Sequence, residues 1–253
     1  LRLFGRPDFH AGPALRTIFL RFNLRRAPLN DPALRRALSA TIDREAIARR
    51  VLRNGERPAF GLVPPGLPGY EPLGPLPADP EEIEAVRRAS RSLRALELSY
   101  AAGDEAAASM AEILEARWRT GLGVALRLRP IERKVFYSAI RRGEYDIAFG
   151  NWAADYPDPA NFLEILRSGS GNNRTGFFDS RYDALLDRAA RATDEGARRA
   201  LFLEAESLLW REAPIAPIAY AVTGVLCRER VRGFCPNPLN LVDWAALSVA
   251  EGP

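Results

Sequence analysis

Two carboxylates three residues apart close the segment Ala153-Ala154-Asp155-Tyr156-Pro157-Asp158-Pro159, directly after the apolar run Asp146 to Trp152. A carboxylate can trade protons, ligate a cation or receive an ammonium group, and the local sequence separates these two. Asp158-Pro159 repeats the aspartate-proline pair of Asp31-Pro32 and Asp79-Pro80. Aspartate supplies an N-cap oxygen and proline suits the first helical position, so Asp158 reads as a helix cap. Asp155 has no such local task. Just beyond a buried strand it needs a positive partner to offset lost hydration, either an arginine of this chain or the ammonium of a guest. Trp152 offers an apolar wall or a cation-π face, with ordinary core packing as the alternative. Asn172, Asn173 and Arg174, in the Gly/Ser-rich stretch from Ser168 to Gly176, either line the same crevice or are exposed turn chemistry.

Catalytic readings lack parts. His10 is the only histidine and no Gly-x-Ser-x-Gly turn exists, which removes the material for a histidine-dependent triad. Lys134, the only lysine, follows no glycine-rich loop, and Gly121-Leu122-Gly123 lacks the third glycine of a dinucleotide turn. No cysteine-histidine cluster has metal spacing, and Asp155 with Asp158 is too small an oxygen set for calcium. No second acid is identified for a paired-carboxylate glycosidase. A non-enzymatic chain without cofactor or metal is expected.

The elements that must position this segment follow from periodicity. Thr17 to Leu24 alternates apolar and polar residues as a half-buried strand does. Asp31 and Asp43 start helices, the second ending at Asn54-Gly55. From Gly55 to Pro80 come eight prolines and five glycines, which predict an extended surface connection outside the core. Asp79 with Glu82 has capping-box spacing before a helix reaching Arg94, whose Arg87, Arg88, Arg91 and Arg94 suit a solvated face, an anion patch being the alternative. Then strands at Leu96 to Ala101, Val124 to Pro130 and Asp146 to Trp152 alternate with helices at Glu105 to Thr120 and Glu132 to Arg142. That alternation marks βαβ units, hence an α/β fold with a mixed, largely parallel sheet flanked by helices. Met110, Ile113, Leu114 and Trp118 form one buried helical stripe. Ser180 is expected to cap a helix carrying Tyr182, Leu185 and Leu186. Leu201, Ala205, Leu208 and Leu209 mark another, and Ile215 to Val225 and Gly233 to Leu241 read as strands and turns returning to a sheet. There is no internal repeat.

Composition sets the frame. The 253 residues are 47% hydrophobic and 27% charged, enough apolar material for a packed core. The net charge of +4 is a weak bias, and the near-exclusive use of arginine reads as codon bias rather than a phosphate-binding device, so no nucleic-acid partner is implied. The longest uncharged C-terminal stretch, Ala213 to Cys227, contains Pro214 and Pro217 and is too short to span a bilayer. The opening Leu1-Arg2-Leu3-Phe4-Gly5-Arg6 has no secretory core, which suggests either a removed signal or a cut piece. Cys227 and Cys235 fit one disulfide in an oxidising compartment or two thiols in a reducing one.

The run from Tyr145 to Leu163, YDIAFGNWAADYPDPANFL, closely resembles the signature stretch of the family 5 extracellular solute-binding proteins, the oligopeptide, dipeptide and nickel receptors of ABC importers. Phe19 to Asn23, Asn30 to Leu38, Ile42 to Ile47, Leu62 to Pro65, Tyr182 to Leu186, Glu206 to Leu209 and Ala213 to Pro217 match in order, so the resemblance spans nearly the whole chain. It implies a periplasmic-binding-protein type II-like lobe and, because such proteins are about twice as long, the C-terminal half of one. Residues 1–30 would then be the crossover or hinge strand, 31–212 the second lobe, and 213–253 strands returning toward the hinge and an absent first lobe. The implied partners are a peptide ligand, that N-terminal lobe and an ABC permease. The implied location is periplasmic or extracellular, with membrane association open. By the same resemblance Asp155 receives the peptide's α-ammonium, and the strand edge Asn151 to Ala153 offers main-chain hydrogen bonds. Trp152 and Tyr156 wall the cleft, and Asn173 and Arg174 belong to it. Phe149 stands where some oligopeptide receptors carry an arginine for a ligand carboxylate, so that function falls elsewhere. A ligand-sensing domain of a regulator, a receptor for nickel or another solute, and more remotely a carboxylate-dependent hydrolase are the competing readings.

Overall fold

The computed structural model describes residues 6–75, 78–235, 237–239 and 241–250. Alternating side chains run through β1 (Phe9–Phe22). The next helices begin where aspartate caps predict. The Asp31 carboxylate accepts from the Ala33 amide at 2.9 Å to start α1 (Pro32–Ala40), and Asp43 accepts from Ala46 at 2.9 Å to start α2 (Arg44–Ile47). One wide turn, Ala48–Leu52, carries the chain on to the short β2 (Arg57–Pro58). Asp79 caps α3 (Pro80–Ala89), although Glu82 does not complete a capping box: its carboxylate binds Arg36 at 2.9 Å. The βαβ region follows as β3 (Leu96–Ala101), α4 (Glu105–Leu122), β4 (Leu126–Ile131), α5 (Arg133–Arg142) and β5 (Ile147–Ala153). Then come α6 (Pro159–Leu163), α7 (Ser180–Arg191), α8 (Glu195–Glu212) and the long β6 (Ile215–Leu226).

One six-stranded sheet, in the order β2-β6-β1-β5-β3-β4, organises the chain. β3 pairs in parallel with both β4 and β5, as the βαβ alternation requires. β1 inserts antiparallel between β5 and β6, and β2 pairs antiparallel with β6, so four of the six strands run one way and β1 and β2 the other. Strands from the two ends of the chain thus form the middle of the sheet. On one face α1 and α4 bury Leu38, Leu98, Leu114 and Trp118, and the Trp118 indole N–H donates to the Leu38 carbonyl at 3.0 Å. On the other face α6, α7 and α8 bury Phe19, Phe162, Tyr182 and Phe202, while α5 packs Phe136 and Ile140 against Tyr145 and Ala148. Each fully buried leucine or phenylalanine contributes about 1.5–3 kcal/mol.

Several expectations are corrected. The proline-rich connection is part of the core: Ala59, Leu62, Val63, Leu67 and Tyr70 are all buried. Its backbone can leave water because other elements supply partners. Glu206 of α8 accepts from the Val63 amide at 2.9 Å and the Tyr70 hydroxyl at 2.7 Å, Thr17 donates to the Leu62 carbonyl, and Arg44 donates to the Ala59 carbonyl. The cap of α7 is Asp179, which accepts from the Arg181 amide at 2.8 Å, and Ser180 is the first helical residue. Arg94 is not a free surface cation but holds Asp146. The region Gly233 to Leu241 contains no strand among its described residues; Pro236 and Asn240 lie outside them. It is flanked by β7 (Val231–Arg232) and β8 (Ser248–Val249), which pair with each other and not with the main sheet. Cys227 is a free thiol.

Candidate ligand-binding cleft

β5 is paired unequally along its two edges. Toward β1 it is matched over its whole length, from Phe22 opposite Ile147 to Arg16 opposite Ala153. Toward β3 the pairing covers only Ile147 and Ala148, although β3 itself runs on to Ala101. The edge beyond Phe149 is therefore open. Asp146 accepts from the Asn23 amide at 2.9 Å and the Ala154 amide donates to Leu15 at 2.8 Å, so even-numbered residues direct their backbone groups at β1. By the alternation of an antiparallel strand, Phe149, Asn151 and Ala153 direct theirs at the opposite side.

The space beside that edge is a cleft of about 270 Å³, lined by Phe149, Gly150 and Asn151 of β5, Arg16 and Arg21 of β1, and Tyr137 of α5, among others. Phe149 is also buried in the α1/α4 core, so it presents an apolar floor rather than a polar contact. Asn151 and Ala153 are exposed on the same strand. Around the end of β5 a second, open groove of about 510 Å³ is lined by Trp152, Asp155, Tyr156, Ser168 and Asn172. Of the predicted residues, Phe149 and Asn151 thus line the first hollow and Trp152, Asp155 and Tyr156 the second, while Ala153, Asn173 and Arg174 line neither.

The two carboxylates of the segment separate as their neighbours suggest. Asp158 accepts from the Ala160 amide at 2.8 Å and binds Arg198 at 2.8 and 3.0 Å. Asp155 is exposed and makes no ion pair or hydrogen bond among the described residues. Pairing with an arginine of this chain is not realised, and neither is the expected loss of hydration, because the carboxylate stands exposed to solvent beyond the strand's end. Trp152 packs against the α6–α8 core and donates its indole N–H to Asn161 at 2.9 Å, so one face is fixed and the remainder forms the groove wall. Tyr156 is exposed beside it.

Asn173 is not delivered to either hollow. Its amide donates to the carbonyls of Leu166, Arg167 and Phe177 and its Oδ1 accepts from the Thr175 hydroxyl, which ties the loop to itself. Arg174 takes the Tyr145 hydroxyl on its carbonyl, and its guanidinium lies near that of Arg21. Sequence reasoning missed Arg16 and Arg21. The signal was present in Leu20-Arg21-Phe22, a cation inside an apolar strand, but the strand's neighbours on the sheet were not legible. Among the described residues no cluster of three or more histidine, cysteine or acidic side chains could hold a metal, and no helix is long and apolar enough to cross a membrane.

The lobe thus combines an open strand edge with an exposed, unpaired carboxylate beyond that strand's end. Residues 3–174 match the model of bacterial extracellular solute-binding proteins, family 5 Middle, and the chain belongs to that family. Its relatives are binding proteins, not catalysts. The chain is 30% identical over 242 residues to the dipeptide-binding protein DppE of Bacillus subtilis, covering 90% of this chain and 44% of that one. It is 35% identical over 243 residues to YgiS of Escherichia coli, described as a probable deoxycholate-binding periplasmic protein, covering 91% of this chain and 45% of that one. The solved structure of the Escherichia coli murein tripeptide-binding protein MppA superposes with a TM-score of 0.85 at 27% identity, over 97% of this chain and 50% of that one. The chain therefore spans about half the length of the relatives it matches.

Proposed function

We propose that this chain is the peptide-gripping lobe of the substrate-binding component of an ABC importer, working outside the cytoplasmic membrane and passing its guest to a permease. The observation that carries the reading is the open edge of β5. A guest strand laid along Asn151 and Ala153 completes backbone hydrogen bonds whatever its side chains, so extension is enforced while sequence varies. Asp155 then receives the α-ammonium at the strand's end, with Trp152 and Tyr156 as walls. Residues 1–30 and 213–253 are read as crossing segments. In support, β1 and β6 continue as a paired ribbon from Pro13 and Val222 to Phe9 and Leu226, beyond the five other residues of β1 that β6 meets in the sheet. Residues 31–212, with the sheet portions of β1 and β6 that lie between β5 and β2, form the lobe, and hinge closure of a first lobe would cover the guest.

The relative described as deoxycholate-binding supplies the competing guest, a bulky apolar acid with no backbone to pair. Calorimetric titration of the full-length protein with tetra-alanine, the same peptide N-methylated at its two central amides, and deoxycholate separates the two. Binding of tetra-alanine weakened at least about tenfold by N-methylation is expected, since each lost edge hydrogen bond is worth about 0.5–1.5 kcal/mol. Preference for deoxycholate, or indifference to N-methylation, would overturn the reading.

A further inference from the structure

Three arginines of the sheet, Arg16, Arg21 and Arg57, have no side-chain acceptor among the described residues, and of these Arg21 alone is half-buried rather than exposed. Arg35 donates to the Leu29 and Ala213 carbonyls, Arg44 to Ala59 and Pro217, and Arg94 to Asp146. Arg21 has no ion pair or hydrogen bond among the described residues, yet it is half-buried and lines the cleft at the open edge of β5. Its guanidinium lies 5.3 Å from the Phe19 ring centroid and against Gly150, where a Cβ would sit 2.5 Å from Nη2, so the glycine makes the room. The polar groups around it are Tyr145, Tyr137 and the like-charged Arg174, and burial with Arg174 pushes it below its ordinary value against the opposing tyrosines. Asp104, the acid lining that cleft, already caps α4 through the Ala107 amide at 2.9 Å. A half-buried cation of this kind needs an anion from outside the lobe.

We infer that Arg21, with Arg174 behind it, is a carboxylate-receiving subsite, so that the guest is a short peptide held at both charged ends. The inference rests on the peptide reading above. Gly150 and Asp155 are five residues apart, at most roughly 16 Å of extended chain, and an extended tetrapeptide spans about 14 Å. A planar guanidinium suits a carboxylate because it can donate two parallel hydrogen bonds.

The test titrates the full-length protein with tetra-alanine as the free acid and as the C-terminal amide, in wild type, Arg21→Gln and Arg21→Lys, with thermal melting as the check of folding. The wild type should favour the acid by about tenfold or more. Arg21→Gln should remove that preference by weakening the acid alone, and Arg21→Lys should keep part of it. Should Arg21→Gln not melt cooperatively, Arg174→Gln carries the test, with a smaller loss for the acid and none for the amide. Equal wild-type affinity for acid and amide, or variants that weaken both by one factor, would overturn the subsite while leaving the peptide reading standing. A wild type that binds neither peptide would overturn both.

Discussion

The two ends of β5 each carry an aspartate, and they differ in almost every respect. At the start, Asp146 is 2% exposed and saturated: Arg94 binds it at 2.6 and 3.0 Å, Arg26 lies at 3.3 Å, and the Glu97 amide donates at 3.0 Å. Burial works against its ionisation, but the Arg94 hydrogen bonds, the Glu97 amide and the Arg26 charge outweigh it and hold its carboxyl below the usual range. At the finish, Asp155 is exposed and holds nothing. One carboxylate has all its partners built into the fold, and the other has none. The same contrast separates Arg44, buried and hydrogen-bonded to the Ala59 and Pro217 carbonyls, from Arg21 in the cleft. Charges that hold the lobe together are compensated locally, and those around the open edge are left for something else.

If that division is right, mutations at the compensated end should act on stability. Asp146→Ala strips one acceptor from two arginines and an amide and should cost about 3 kcal/mol, read as a lower denaturant midpoint. The folded carboxyl value lies below the unfolded one, so this stabilisation is present above pH about 4 and fades as pH falls through the folded value. The gap between wild type and Asp146→Ala should close in acid. A gap independent of pH would remove the electrostatic account.

Gly150→Ala comes next. Its Cβ would meet Arg21 and also a Phe19 ring carbon at 2.9 Å, and Phe19 is buried, so a loss of about 1–2 kcal/mol in stability is expected. Unchanged stability would mean that strand and ring yield more easily than this packing allows.

Glu206 sharpens the comparison with an opposite sign. Burial raises its carboxyl value despite hydrogen bonds from Val63 and Tyr70. A folded value above the unfolded one adds stability as pH falls from neutral toward the ordinary carboxyl range, and withdraws it as pH rises through the folded value. Wild type should therefore gain on Glu206→Gln as pH falls from neutral toward the ordinary carboxyl range, measured by denaturant midpoints, and a constant difference would contradict this.

What could be read in the chain follows from how local each cause is. The caps at Asp31, Asp43, Asp79 and Asp158 were legible because an aspartate and the amides it receives lie two or three residues apart. The strand Leu96–Ala101 and the Met110, Leu114 and Trp118 stripe followed from periodicity alone. The burial of Leu62, Val63 and Tyr70 did not, because their acceptor, Glu206, lies on a helix more than 130 residues away in sequence. Arg94 was read as surface for the same reason, its partner being Asp146. At the cleft, Asp155 stood out because nothing nearby in sequence explained it, whereas Arg21 became visible only once β1 was placed beside β5. Asn173 was misread because its polarity serves its own loop.

The smallest effect on stability belongs to the free end of β5. Asp155→Asn should leave the denaturant midpoint within about 0.5 kcal/mol of wild type, since no interaction within the described residues is lost. A larger drop would show that Asp155 serves the fold. The decisive measurement is the affinity of full-length wild type and Asp155→Asn for tetra-alanine and for its N-acetyl form. Asp155→Asn should weaken the free peptide about tenfold to a hundredfold and leave the acetylated one unchanged. One affinity shared by all four combinations would contradict the claim that this carboxylate is kept for a guest's ammonium.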